Sequence, residues 1–235
     1  MIPFAQQVAV VTGASSGVGR AIAQALSARG ATVCGVARRL NVLESTIPPI
    51  RPYVADLGDD GELHALCRLL CDQCDRIDVL VHGAGIISIG PAAVAPIEDF
   101  DRQFRINARA PYVLTQALLP HLKRSRGHVV YINSSVVGQA KAGVSQYAAS
   151  NAALKSLADS LRAEVNGDGI RVTSLFLGQT ATPMQEDLHR LAGREYQPSL
   201  LLQPEDVAES VVGVLSLPRT AEVTDVHIRP MLKPA

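Results

Sequence analysis

The chain carries no surplus of either charge. Its 235 residues include 22 Lys plus Arg against 22 Asp plus Glu, so nothing in the balance points to nucleic acid or an anionic membrane as a partner. No apolar run approaches the roughly 18 residues needed to span a bilayer. The opening Met1-Ile2-Pro3-Phe4-Ala5-Gln6-Gln7 has neither the basic nor the apolar segment of a secretion signal. A soluble, cytoplasmic protein is the expectation. No composition shift, linker or internal repeat divides the sequence, and 47% hydrophobic content suffices for one sizeable core. One domain over 1–235 is therefore expected. Cysteine is sparse: Cys34, Cys67, Cys71 and Cys74. The last three have a C-x3-C-x2-C spacing, but they fall in a stretch with helical apolar periodicity. At i, i+4 and i+7 they form one stripe of a helix, which points to packing and not to a metal site.

What is present is alternation. Strand-like runs at Gln7–Thr12, Thr32–Ala37, Arg51–Val54, Asp78–His82, His128–Ser134, Ile170–Leu177 and Val226–Ile228 alternate with helical patterns. The helices include Gly17–Arg29, a long one over Phe100–Lys123 with a kink or break expected near Pro111, one around Tyr147, and Pro204–Leu215. Alternating βα units imply an α/β fold: a doubly wound, Rossmann-type parallel sheet of about seven strands with helices on both faces. Ligands in such folds sit beyond the carboxyl ends of the strands, where the strand order reverses.

Thr12-Gly13-Ala14-Ser15-Ser16-Gly17-Val18-Gly19 follows the first strand and opens the first helix. Gly13 permits a tight turn, Gly17 lets backbone approach a pyrophosphate, and Gly19 allows close helix–strand packing. Free N–H groups and the helix dipole favour phosphate there. The second strand ends Val36-Ala37-Arg38-Arg39. The acid that would accept hydrogen bonds from the NAD ribose is missing, and Arg38 and Arg39 stand where a 2′-phosphate would lie, so NADP(H) is the expected cofactor.

The G-x3-G-x-G spacing after Thr12, together with Tyr147-Ala148-Ala149-Ser150-Asn151, resembles the classical short-chain dehydrogenase/reductase family. The resemblance runs from the Gly-rich loop to the final strand. It implies an adenine contact at Asp56 and Leu57. It also implies cofactor contacts at Ser15, Ser16, Val18, Ala84 and Gly85, and at Gly178, Thr180 and Thr182 beside the nicotinamide. Leu80-Val81-His82-Gly83-Ala84-Gly85 stands where the family has Asn-Asn-Ala-Gly, and His82 is read as structural.

The implied catalytic set is Asn107, Ser135, Tyr147 and the residue at 151, with Tyr147 as general acid or base, a Ser polarising the carbonyl, and Asn107 holding a relay water. Ser135 fits the pattern better than Ser134, although it precedes Tyr147 by one residue fewer than is common. The family has Lys where this chain has Asn151. A phenol titrates near ~10, and the Lys charge lowers that value. An amide holds ribose hydroxyls but supplies no charge; Lys155, a further turn along, is a poor substitute.

Three readings follow: a working NADPH-dependent carbonyl reductase or alcohol dehydrogenase of altered catalytic set, a cofactor-binding protein with little or no turnover, or an engineered Lys-to-Asn inactive variant. The apolar segment 183–203 is read as a substrate lid, which favours a small, hydrophobic ketone, aldehyde or alcohol. The resemblance also implies a homotetramer or homodimer.

Overall fold

The computed structural model of the protein describes residues 4–39 and 50–232. Seven parallel strands form one sheet in the order β3-β2-β1-β4-β5-β6-β7. They are β1 (Val8–Thr12), β2 (Thr32–Ala37), β3 (Arg51–Val54), β4 (Val79–His82), β5 (His128–Ser134), β6 (Arg171–Leu177) and β7 (Asp225–Ile228). The helices are α1 (Gly17–Ala28), α2 (Asp60–Gln73), α3 (Ile97–Phe104), α4 (Ala110–Ser125), α5 (Ser145–Val165), α6 (Pro183–Leu191) and α7 (Pro204–Leu215).

Strand pleating sends alternate residues to opposite faces, and each face has its own helix layer. Val10, Leu80, Val129 and Tyr131 pack under Leu66 and Leu70 of α2, Leu114 and Leu118 of α4 and Leu154 of α5. Their neighbours Ala9, Val11, Val81 and Val130 face Ile22 and Leu26 of α1 and Val207 and Val211 of α7. Each such buried aliphatic side chain contributes about 1.5–3 kcal/mol. Cys67 and Cys74 are buried in the first of these layers, and half-buried Cys71 packs against it. The expected domain ends, 1 and 235, lie outside the described residues.

The long helix is interrupted before Pro111, whereas Pro120 is carried inside α4 without a break. Between α3 and α4, residues Arg105–Arg109 form one wide π turn in which the Ala110 N–H bonds the Arg105 carbonyl. Pro111 explains it: the ring lacks an N–H and clashes with the carbonyl four residues back, and the extra residue relieves the clash. Asn107 sits inside this turn and projects toward α5. Strand order reverses between β1 and β4, and the main cleft opens there.

Candidate active site

A cleft of about 560 Å³ runs across the carboxyl ends of the strands. At one end the lining is backbone. Gly13 (φ +71°) and Gly17 (φ +50°) occupy left-handed conformations. A Cβ on Gly13 would lie 2.8 Å from the Gly83 carbonyl oxygen, and one on Gly19 would lie 2.4 Å from the Gly13 oxygen. Ser16 precedes α1 in an extended conformation, makes no side-chain cap, and the first turn has no acid. The opening N–H groups of α1 are thus left to a ligand at the positive end of the helix dipole. Ser15, Ser16, Gly17, Val18 and Gly19 line the cleft. A pyrophosphate fits this cradle, which has donors and no competing anion.

Gly83, where the resemblance expects Asn, closes against the first turn. A Cβ there would meet the Thr12 oxygen at 2.8 Å, while the Thr12 hydroxyl accepts the Gly83 and Ala84 N–H groups at 3.1 Å each. His82 is buried beneath, its Nε2 2.8 Å from the Thr115 hydroxyl and its ring stacked on Tyr131. Burial pushes its pKa down to about 3, so it is neutral at pH 7. It joins β4, α4 and β5 and does not line the cleft.

At the end of β2 the exposed Arg38 lines the cleft with Ala55, Asp56 and Leu57. Arg39 is exposed and outside that lining. Asp56 spends its carboxylate on the Gly58 N–H at 2.9 Å, and its own N–H donates to Glu62 at 2.7 Å. That leaves Arg38 as the charged side chain free to meet a phosphate at this end.

At the other end the lining is side chains. Tyr147 stands in the first turn of α5. Burial raises its pKa, and the neighbouring Ser134 and Asn151 side chains partly offset that rise. Among the described residues no cation contributes to that shift. Asn151 is buried, and its amide N–H also donates to the Tyr147 carbonyl at 2.9 Å. Lys155 is turned away, paired with Asp159 at 2.6 Å.

The hydroxyl at the phenol is Ser134's, where Ser135 was expected. Ser134 ends β5 and caps the following 3-10 turn by accepting the Val136 N–H. Ser135 is already inside that turn and exposed, although both line the cleft.

The Asn107 side chain is mostly spent on protein partners, both Nδ2 hydrogens included. Its Oδ1 accepts the Ile86 N–H at 2.9 Å, and its Nδ2 donates to the Ile86 carbonyl at 2.9 Å and the Ser150 hydroxyl at 3.1 Å. Ser150 in turn donates to the Tyr147 carbonyl at 2.9 Å. Asn133 reaches α5 as well, donating to the Asn151 carbonyl at 3.1 Å. Neither Ser150 nor Asn133 stands out by residue type or spacing. Both are small polar residues inside regular elements, and only the packing of α5 against β5 and the π turn reveals them.

Ala84, Gly85, Gly178, Thr180 and Thr182 line the cleft between its two ends. Thr180 is buried and bonds the Gly178 carbonyl. Thr182 caps α6 by accepting the Gln185 N–H, and a Cβ added at Gly17 would lie 2.9 Å from its methyl.

Residues 7–191 match the family model described as short chain dehydrogenase. The chain belongs to the short-chain dehydrogenase family. An uncharacterized oxidoreductase of Staphylococcus epidermidis is 31% identical over 236 residues, covering 98% of this chain and 100% of that relative. An NADP-dependent 3-hydroxy acid dehydrogenase of Salmonella typhi is 28% identical, covering 95% of each. Among solved structures, the closed form of a serine dehydrogenase complexed with NADP+ superposes with a TM-score of 0.88 at 26% identity, covering 97% of both chains.

In this short-chain dehydrogenase the segment expected to form a lid divides in two. Met184, Gln185 and Leu188 of α6 line the cleft. Leu191 is exposed, and Tyr196 packs edge-on against His189. Leu201 and Leu202 are buried, and Leu202 pairs with Thr180 as an isolated β-bridge. Both leucines are thus packed into the core. Among the described residues no helix is long and apolar enough to cross a membrane.

Proposed function

We propose that this oxidoreductase is an NADPH-dependent carbonyl reductase in which Tyr147 donates its proton without help from a neighbouring cation. One observation carries the reading: the phenol sits at the inner end of the cleft against Ser134 and Asn151, with its pKa raised. A phenol held neutral at physiological pH is the form that donates a proton. Reduction is then the favoured direction, and alcohol oxidation, which needs the phenolate, is the weaker one.

The Gly13–Gly19 turn and the N-terminus of α1 would hold the pyrophosphate, Arg38 the 2′-phosphate, and Gly178, Thr180 and Thr182 the nicotinamide side. The dinucleotide, when bound, supplies the hydride. The NADP named for the Salmonella dehydrogenase and for the serine dehydrogenase supports this cofactor.

Ser134 donates a hydrogen bond to the substrate carbonyl oxygen, stabilising the charge that develops there, and Tyr147 Oη hands its proton to the same oxygen. Asn151 holds the phenol and offers its amide to ribose hydroxyls. Asn107 pins the loop after β4 and locks α5 through Ser150. Its backbone carbonyl faces Pro111, which has no N–H to return, and is the acceptor left for a relay water. The N-terminal half of 183–203, α6 above all, closes over bound substrate.

The groove along α3, α4 and α5, lined by Phe104, Ala108, Tyr112, Ala153 and Leu157, is the face by which we expect two copies to pair. Light scattering should give a dimer or tetramer, in a protein we place in the cytoplasm. The test of function is NADPH consumption with a panel of ketones and aldehydes. Turnover in the parent and its loss in Tyr147→Phe uphold the reading. NADPH binding with no turnover on the panel would instead make the chain a cofactor-binding protein.

A further inference from the structure

We propose that the substrate is an anion, and that Lys141 receives its carboxylate at the mouth of the cleft. The inference rests on the reductase reading and narrows it to carbonyl compounds bearing an acid group. Two loops wall the substrate end: residues 84–96 after β4, and 138–144 before α5. They are fastened together, with the Gly90 N–H donating to the Gly143 carbonyl at 2.8 Å. Behind that bond, buried Gln103 accepts the Ser88 N–H and donates to Gln146, and Gln146 donates to the Pro96 carbonyl. Lys141 therefore projects from a braced wall, two residues from the Gly90–Gly143 bond.

Charge singles it out. The charged residues lining the cleft are Arg38, Asp56 and Lys141. The first two lie at the adenosine end, and Asp56 is engaged by the Gly58 N–H. At the substrate end Lys141 is the one charged group among the described residues. It is exposed, and its ammonium has no ion pair or hydrogen bond there. The same cleft is lined by Gln139 and Gln185 and by the apolar Ile86, Ile87, Val144, Met184 and Leu188. A wall with one unpaired cation, neutral donors and no acid suits a molecule with an apolar body and one carboxylate. A wholly hydrophobic ketone would leave the ammonium unused.

The test compares levulinate, benzoylformate and acetoacetate with their methyl esters, in the parent and in Lys141→Gln and Lys141→Glu. These exposed-site variants are checked for unchanged circular dichroism. The parent should favour at least one acid over its ester in kcat/KM by about tenfold, the value of one charge-assisted contact at a wet site. Added salt should shrink that preference. Lys141→Gln should bring the acid-to-ester ratio toward unity, and Lys141→Glu should invert it.

Esters reduced as well as acids by the parent, or an acid preference that survives Lys141→Gln, would overturn the anion site while leaving the reductase reading intact. If no carbonyl compound is reduced, calorimetric titration of the same acids into the NADPH complex decides. Binding lost in Lys141→Gln upholds the site, and its absence from the parent overturns it.

Discussion

The adenosine end of the cleft is made of backbone, and the reacting end is made of side chains. At the first, Gly13, Gly17, Gly19 and Gly83 are packed so closely that a single added carbon would collide with a carbonyl or with Thr182. At the second, Tyr147 is held by Ser134 and Asn151, and a residue expected to be a cation is an amide. The first construction allows little substitution, because its function is the path of the chain itself. The second allows a change of charge while its geometry stays, because neighbouring polar groups re-partner. Asn151 turns its amide to the Tyr147 carbonyl of its own helix at 2.9 Å.

The comparison can be broken most severely at Gly19. Gly19→Val should abolish NADPH binding and most of the folded yield, because even the Cβ lies 2.4 Å from a backbone oxygen that cannot move aside. Soluble protein with parental NADPH affinity would show the backbone end to be less constrained than described.

Tyr147→Phe comes next. It should lower the reduction rate by about 10²–10⁴-fold with NADPH binding retained. Ser134→Ala should lower kcat more than Ser135→Ala does; the reverse order would return the polarising role to Ser135.

Arg38→Asp should weaken NADPH binding by about tenfold or more while changing NADH binding far less, since it removes a charge-assisted contact and adds repulsion. Equal effects on both cofactors would remove the phosphate role.

The smallest effect concerns two histidines outside the cleft lining. His82 and His128 are both buried, with pKa values pushed from 6.5 to about 3 by burial first. Each folded-state value is depressed, so below pH 6.5 the unfolded chain takes up protons that the folded chain refuses. Stability should therefore be full above about pH 6.5 and decline toward pH 3. His82→Gln should flatten the decline if the fold accepts it, as seen by urea denaturation at a series of pH values.

How legible each end was follows from how it is built. β3, β5 and α7 have the bounds that periodicity and the Pro-plus-acid start indicated, and the wide turn appeared beside Pro111 where a break was expected. The Gly-rich turn was equally legible, because glycine spacing is a direct record of backbone path. Three features at the side-chain end were not. Its place directly before Val-Val-Gly favoured Ser135, whereas the side chain beside the phenol is that of Ser134, the residue at which β5 gives way to a 3-10 turn. Asn107 carries the expected identity, yet both hydrogens of its amide are taken by Ile86 and Ser150. Leu201 and Leu202 look like lid residues by composition and are core by position. In each case the deciding quantity is a tertiary contact that residue type and spacing do not encode.

The central claim is that Tyr147 works as a neutral acid with no cation beside it. The most direct measurement is the ionisation of that phenol, followed by ultraviolet difference absorbance between the parent and Tyr147→Phe across pH, and repeated with Asn151→Lys as parent. The expected result is a Tyr147 pKa above the ordinary ~10 in the protein, lowered by about one to two units once Lys stands at 151. A Tyr147 that already ionises near neutral pH with Asn151 in place would contradict the account.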